Sequence, residues 1–483
     1  MENRVWDTAE TTPRDQMAAL QIQRLRETVA QASRVPFYRE AFQKAGVTPE
    51  SIRTLDDLRR LPFTVKNDLR EHYPLGLLAV PREQIARIHG STGTTGKPTF
   101  VAYTARDLNT WADLCARFLV AGGLRPEHTV HIAFGYGLFT GGFGLHYGVE
   151  KVGAAIVPAS AGNTSRQIDL IRDLGANVLV GTPSYSLYLA DVCQERGIDP
   201  RELPLEYAHF GGEPWTEDMR AEIERELNLA AFNNYGLSEV IGPGVSGECY
   251  ARDGMHIQED HFLVECLDPD TLEAAPEGER GELVITALTK EAMPMIRYRT
   301  RDIASLCFTP CPCGRTTIKM SRIAGRTDDM FIIRGVNVFP SQIEEALLRV
   351  EGTTPHYQIE INRPNALDEV TVRVEIRPQD FSDMMAKMQA LKQRIAREIQ
   401  QVAGIARGVG NIAIDAFLVF VGMGFLLIEA PRLAGVLERY IGADTSLYRH
   451  LAQSGSFLID YVIVRTKVNL ITGVGTGLFL AVL

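Results

Sequence analysis

The residues best suited to chemistry lie in a few scattered stretches. The first is Gly90–Phe100, GSTGTTGKPTF. Glycines let a backbone approach an anion, and hydroxyls and N–H groups donate to phosphate oxygens. Ser91, Thr92, Gly93, Thr94, Thr95 and Gly96 therefore make a phosphate-suited loop, with Lys97 as a point charge. It is not a Walker loop: Ser91 stands where that pattern needs its first glycine, and Pro98 replaces the metal-binding hydroxyl. A second stretch, Asn233–Glu239, reads NNYGLSE. Here Tyr235 could stack a base beside Asn234 and the turning Gly236, Ser238 could touch phosphate, and Glu239 could hold magnesium through oxygen. In YRTRDIA, Asp302 could chelate two ribose hydroxyls. Taken singly these are a flexible polar hairpin, a helix-capping turn and a surface Arg–Asp pair. Taken together they supply base, ribose, phosphate and metal binders in the order one nucleotide site needs. Cys249, His256, Cys311 and Cys313 form a soft donor set for a tetrahedral, structural zinc, with Cys307 as a competing ligand. The alternative is free thiols in a reducing cytosol. Tyr136 and Phe139, among the glycines of FGYGLFTGG, suit a flat ring lying against backbone, or are ordinary core aromatics.

These residues need a scaffold. Thr12–Pro13 opens a helix through about Ala32, and TFVAYT alternates like a strand. From 100 to 290, apolar strands (HTVHIAFGYG, AAIVPAS, ANVLVGTP) alternate with amphipathic helices (TSRQIDLIRDLG, TEDMRAEIEREL), which predicts a buried, largely parallel sheet. The two-faced GERGELVITAL then predicts a mixed or antiparallel portion. A turn-rich boundary follows, with a helix capped near Pro340–Ser341, an alternating strand at 369–377 and an amphipathic helix at 382–402. The expected organisation is a large α/β domain with mixed sheets over 1–327, a small mobile α+β domain over 328–408, and an apolar helical tail over 409–483. IAIDAFLVFVGMGFLLIEAP in that tail approaches the roughly twenty apolar residues a membrane helix needs. The tail is thus expected to reach a membrane, or else to form buried core helices.

At 483 residues with 50 Lys+Arg against 60 Asp+Glu, the net charge of −10 excludes an electrostatic case for nucleic acid. The polar, acidic start lacks a signal-type apolar run. Seven cysteines in so long a chain make no disulfide framework, so residues 1–408 are expected to be cytoplasmic.

STGTTGKPT, YGLSE, YRTRD and GRTDDMFIIRGVNVFPSQIEE resemble the core motifs of the adenylate-forming superfamily of acyl-CoA synthetases. Within it, GYGLFTGGFGLHYG, FGGEPW, GLSEVIGPGV, EDHF and LTKEAMPMIRYRTRD resemble the phenylacetate–CoA ligases, over roughly residues 1–408. The resemblance implies activation of a small aryl carboxylic acid by ATP and Mg2+ to an acyl adenylate, then transfer to coenzyme A with release of AMP. It places Gly212, Glu213 and Pro214 with Tyr235 around adenine, and Gly211 at the acyl pocket. Arg326 faces the nucleotide, Asp328 is the hinge and Gly335 lines the CoA tunnel; Lys97, Glu239 and Arg326 are the catalytic set. A homodimer is compatible with the family, and some members carry such a zinc site. One departure stands out. The family's C-terminal lysine segment is missing, neither Lys392 nor Lys467 stands in its motif, and the tail resembles a fragment of autoinducer-exporter-like permeases, as a fusion or, better matching the abrupt change, a splice of unrelated reading frames or a truncated assembly. Adenylation is therefore expected to be impaired. The rival expectations are a P-loop NTPase, a loader of carrier-protein thiols, and a non-catalytic membrane-attached nucleotide binder.

Overall fold

In the computed structural model, the described residues are 5–91, 98–328, 331–333, 336–350, 352–362, 369–376, 385–402 and 413–416. Helices α1 (Arg14–Ala32), α2 (Pro36–Ala45) and the short α3 (Lys66–Glu71) lead into a hairpin of β1 (Arg87–Gly90) and β2 (Phe100–Tyr103). Local chemistry sets their limits. Pro36 opens α2, where its missing N–H costs nothing, and Gly46 closes it in the left-handed region at φ 65°. The helix expected from Thr12–Pro13 starts at Arg14, with Pro13 in the cap position.

After α4 (Ala105–Ala121) comes the alternation of strand and helix. It runs β3 (Thr129–Ile132), α5 (Thr140–Val152), β4 (Ala155–Val157), α6 (Thr164–Asp173), β5 (Val178–Gly181), α7 (Pro183–Glu195), β6 (Tyr207–Phe210), α8 (Glu217–Leu227) and β7 (Ala230–Leu237). These strands pair in parallel in the order β4–β3–β5–β6–β7. Every residue of β5 is buried, as expected when helices cover both faces.

At β7 the sheet changes character. β8 (Gly242–Glu248) returns antiparallel to it, followed by β9 (Met255–Ile257), β10 (Phe262–Leu267), β11 (Arg280–Ala287), β12 (Tyr298–Cys307), β13 (Lys319–Met320) and β14 (Gly325–Arg326). The antiparallel part continues in the order β8–β9–β13–β12–β11–β10, with β14 also on β12. Helix α4 supports this seam: Trp111, Leu114 and Phe118 are buried, each contributing roughly 1.5–3 kcal/mol. Gly247 lies so close that an added Cβ would sit 2.5 Å from Phe118.

The small domain holds β15 (Phe331–Ile333), β16 (Val336–Val338), α9 (Pro340–Leu348), β17 (Thr353–Asn362), β18 (Glu369–Ile376), α10 (Met385–Val402) and β19 (Ala413–Ala416). Its own core includes Val338, Ile343, Leu347, Val372, Val374 and Ile395. Residues 413–416, expected in the helical tail, instead form a strand parallel to β18. The alternating IAIDA suits a sheet edge as well as it suits a helix. The rest of the tail, 417–483, lies outside the described residues. Among the described residues no helix is long and apolar enough to cross a membrane.

Candidate active site

The C-terminal ends of β6 and β7 frame a cleft of about 190 Å³, at the strand ends where open α/β sheets bind ligands. Its walls include Gly211, Gly212, Glu213 and Pro214 after β6, Asn234, Tyr235, Gly236 and Ser238 from β7 onward, and Asp302 and Arg326 from β12 and β14. The sheet brings these distant stretches together. Asn234 Nδ2 donates to the Phe210 carbonyl at 2.7 Å, tying the two loops. Gly211 must be glycine, because a Cβ would stand 2.8 Å from the Asn234 carbonyl oxygen. Gly236 is tighter still, at 1.9 Å from the Gly242 oxygen.

Asp302 is the electrostatic centre. Tyr235 Oη donates to its Oδ2 and Arg326 Nη1 to its Oδ1, both at 2.7 Å. Burial pushes the carboxyl up to about 6, against the pull of Arg326. A carboxylate offers about four acceptor positions, and two are used here, so two remain for a diol. Arg326 also forks onto Asp328, through Nε at 2.9 Å and Nη2 at 3.1 Å.

Ser238 Oγ shares a 2.9 Å hydrogen bond with Thr140 Oγ1 at the start of α5. Next to it the Glu239 side chain is 8% exposed and its Oε1 lies 3.3 Å from Lys66 Nζ. Lys290 Nζ donates to the Glu239 main-chain oxygen at 3.0 Å and sits over the Tyr103 ring. Burial pulls Lys290 down to about 8. Glu239 and Asp302 also lie close enough for their charges to interact. One hard carboxylate with a displaceable ammonium partner fits a magnesium ion that keeps its waters and takes phosphate oxygens.

Ser91 closes the β1–β2 hairpin: its N–H donates to the Thr99 carbonyl, and its Oγ accepts from the Thr99 N–H at 3.1 Å. Thr92, Gly93, Thr94, Thr95, Gly96 and Lys97 lie outside the described residues, as does Gly335.

On the apolar side, Phe139, Phe134, Leu145 and Trp215 line the cleft. Tyr136 does not. Its ring packs edge-on against Phe143 and its hydroxyl pairs with His146 Nδ1 at 3.1 Å, with burial raising the phenol to about 12. The sequence pointed at neither Trp215, Thr140, Lys66 nor Lys290. Thr140 could have been found, since it directly follows Phe139 at a helix start. Lys66 carries no local signal, and Lys290 lies within the LTKEAMPMIRYRTRD stretch without a residue pattern that marks its role.

The small domain docks beside the cleft. Phe339 packs on Gly325, where a Cβ would be 2.3 Å from its ring, and Arg349 pairs with Asp218 of α8 at 2.9 Å. Burial, followed by the nearby Glu213, pushes Glu344 up to about 7.

Away from the cleft, Cys249, His256, Cys311 and Cys313 converge, with ligand atoms within 4.8 Å of one another. Cys249 and Cys311 sulfurs are 3.6 Å apart, and Cys313 Sγ is 3.3 Å from His256 Nε2. A tetrahedral zinc with its usual bond lengths spaces sulfur and nitrogen ligands about 3.5–3.8 Å apart, so the set fits. His256 Nδ1 pairs with Thr317 Oγ1 at 3.0 Å, which orients the ring. The thiol hydrogen bond from Cys249, then His256, holds Cys313 well below the usual thiol range. Cys307 instead contacts Thr309.

Residues 16–288 match the AMP-binding enzyme family, and residues 335–416 match the AMP-binding enzyme C-terminal domain. The phenylacetate–coenzyme A ligase of Thermus thermophilus is 52% identical over 410 residues, covering 82% of this chain and 92% of that protein. The crystal structure of 2-hydroxyisobutyryl-CoA ligase in its postadenylation state with R3-HIB-AMP is similar at a TM-score of 0.78 and 29% identity, covering 87% of this chain and 94% of that one. The same ligase with 2-HIB-AMP and CoA in the thioesterification state gives a TM-score of 0.65 at 29% identity and the same coverage.

Proposed function

From the premise that this chain belongs to the phenylacetate–coenzyme A ligase family of AMP-binding enzymes, we propose that it activates phenylacetate or a closely related aryl acid. The acid's carboxylate oxygen bonds to the α-phosphorus of ATP, and the bond from that phosphorus to the α–β bridging oxygen breaks, releasing pyrophosphate. The CoA thiol then loses its proton to solvent and its sulfur bonds to the acyl carbon, while the bond from that carbon to the phosphate oxygen breaks and AMP leaves.

In this reading Asp302 takes the ribose diol with its remaining acceptor positions, and Tyr235 with Gly212, Glu213 and Pro214 frames the base. Ser238 and the 91–97 loop serve the phosphates, with Lys97 supplying charge. Arg326 faces the nucleotide, Asp328 is the hinge and Gly335 borders the CoA tunnel. Phe139 and Gly211 flank the aryl ring, with Trp215 and Leu145 added from the cleft wall and Tyr136 buttressing from behind. Glu239 would hold Mg2+, which neutralises charge on the departing phosphates. Cys249, His256, Cys311 and Cys313 would hold a structural zinc. The observation that carries the reading is Asp302, buried between Tyr235 and Arg326 in a cleft that Ser238 also lines, with Glu239 the next residue along and near enough for its charge to act on Asp302. The better match to the postadenylation arrangement supports an adenylation-side position for the small domain.

The test is a panel of aryl carboxylates assayed for AMP and pyrophosphate formation with and without CoA. Phenylacetate should lead, and full turnover should require free CoA. ADP as product, or transfer only to a carrier-protein thiol, would overturn the reading.

A further inference from the structure

Resting on the ligase reading, we propose that Lys66 is a cation of the adenylation step: it guards Glu239 while no metal is bound, and moves onto the departing phosphates when that carboxylate takes magnesium. The first support is the pair itself, Lys66 Nζ 3.3 Å from Glu239 Oε1, with the lysine 43% exposed and the glutamate 8%. A half-solvated ion pair is weak, so changing partner costs little, and an ammonium on a flexible four-carbon stem can reach a neighbouring phosphate oxygen.

The second support is the mounting. Two residues before Lys66, Thr64 is stitched to β12 and its approach: its N–H donates to the Arg297 carbonyl at 3.2 Å, its carbonyl accepts from the Arg299 N–H at 2.9 Å, and its Oγ1 donates to the Ile296 carbonyl at 2.7 Å. The Asp68 side chain caps the start of α3 through the Val65 N–H at 2.7 Å. Thus the strand that carries Asp302 also fixes the base of Lys66, while the tip stays movable. Among the described residues, the two other cations beside Glu239 and Asp302 are held elsewhere. Lys290 is buried and spent on the Glu239 carbonyl, and Arg326 is forked between Asp302 and Asp328.

The ammonium stabilises charge that grows on the phosphates as the bridging P–O bond breaks, so it serves the first half-reaction and not the thiol transfer.

Three measurements on the full chain test this, using Lys66→Met and Lys66→Arg. Pyrophosphate release from ATP and phenylacetate should fall on the order of 10²-fold in K66M and largely recover in K66R. Thioester formation from preformed phenylacetyl adenylate and CoA should stay within about twofold, since that step sheds no pyrophosphate. The magnesium midpoint for ATP binding without acid, read by calorimetry, should drop roughly two- to fivefold in K66M, because a rival for Glu239 is gone. Wild-type pyrophosphate release by K66M, an equal fall in both half-reactions, or an unmoved magnesium midpoint would each refute the proposal. A wild-type chain that completes neither half-reaction would instead sink the ligase reading, and this inference with it.

Discussion

Replacing Asp302 with Asn should make the protein more stable and a worse enzyme. Asp302 is nearly fully buried, and burial raises its carboxyl from 3.8 to about 6 although Arg326 and Tyr235 both favour the anion. A carboxyl whose folded value lies above its unfolded one contributes stability below the unfolded value and loses it as pH rises through the folded one. The window here is therefore pH 4 to 6, and the shift corresponds to roughly 3 kcal/mol given up by neutral pH. Asn carries no charge to desolvate. It should recover part of that amount, about 1–2 kcal/mol after the weaker pairing with Arg326 is counted. Arg326 keeps Asp328, so no buried cation is orphaned. For ATP the sign reverses. An amide presents one oxygen where the carboxylate presents two, and losing a charge-assisted bond to the ribose should weaken binding by about 1.5–3 kcal/mol, or roughly 10- to 100-fold. The assays are chemical unfolding at pH 5 and pH 8, and ATP titration of the same samples. Wild type and D302N should match most closely at pH 5 and diverge at pH 8, with the variant more stable. A variant that is less stable at pH 8, or that binds ATP as wild type does, would refute this account of Asp302.

Three further outcomes follow from other features. Gly236→Ala should abolish nucleotide binding or soluble expression, because its Cβ would lie 1.9 Å from a backbone oxygen that the seam cannot move; ATP titration and yield decide it. Cys313→Ser should cut bound zinc from about one per chain to near zero and lower the melting temperature, with metal content by emission spectroscopy as the check. Glu344, raised from 4.5 to about 7, stabilises docking below pH 4.5 and loses that contribution as pH rises through 7. Wild-type proteolysis near residues 327–336 should thus accelerate between about pH 5 and 7 and level off above, while Glu344→Gln should stay flat.

The parallel half of the sheet was legible because its strands are short apolar runs between amphipathic helices, a pattern with few alternatives. The cleft was legible in part. Tyr235, Ser238 and Asp302 lie in compact motifs whose residue types declare their chemistry. Lys66 and Lys290 declare nothing of the kind, although Lys290 shares the LTKEAMPMIRYRTRD stretch with Asp302, because each lies far from Glu239 in sequence and meets it only through the path of the sheet. Tyr136 illustrates the opposite difficulty: an aromatic among glycines says that a ring is close-packed, but not whether against a ligand or against Phe143. AIDA was ambiguous because four apolar-rich residues fit an edge strand as readily as a helix, and only the partner β18 decides.

Arg326 answers to two masters, with Asp302 inside the cleft and Asp328 at its lip. Any swing pivoting on Asp328 must strain one of those grips. On the proposed roles, a sugar seated on Asp302 would alter the very anion that Arg326 holds, and that guanidinium would then link the loading of the site to the turning of the lobe.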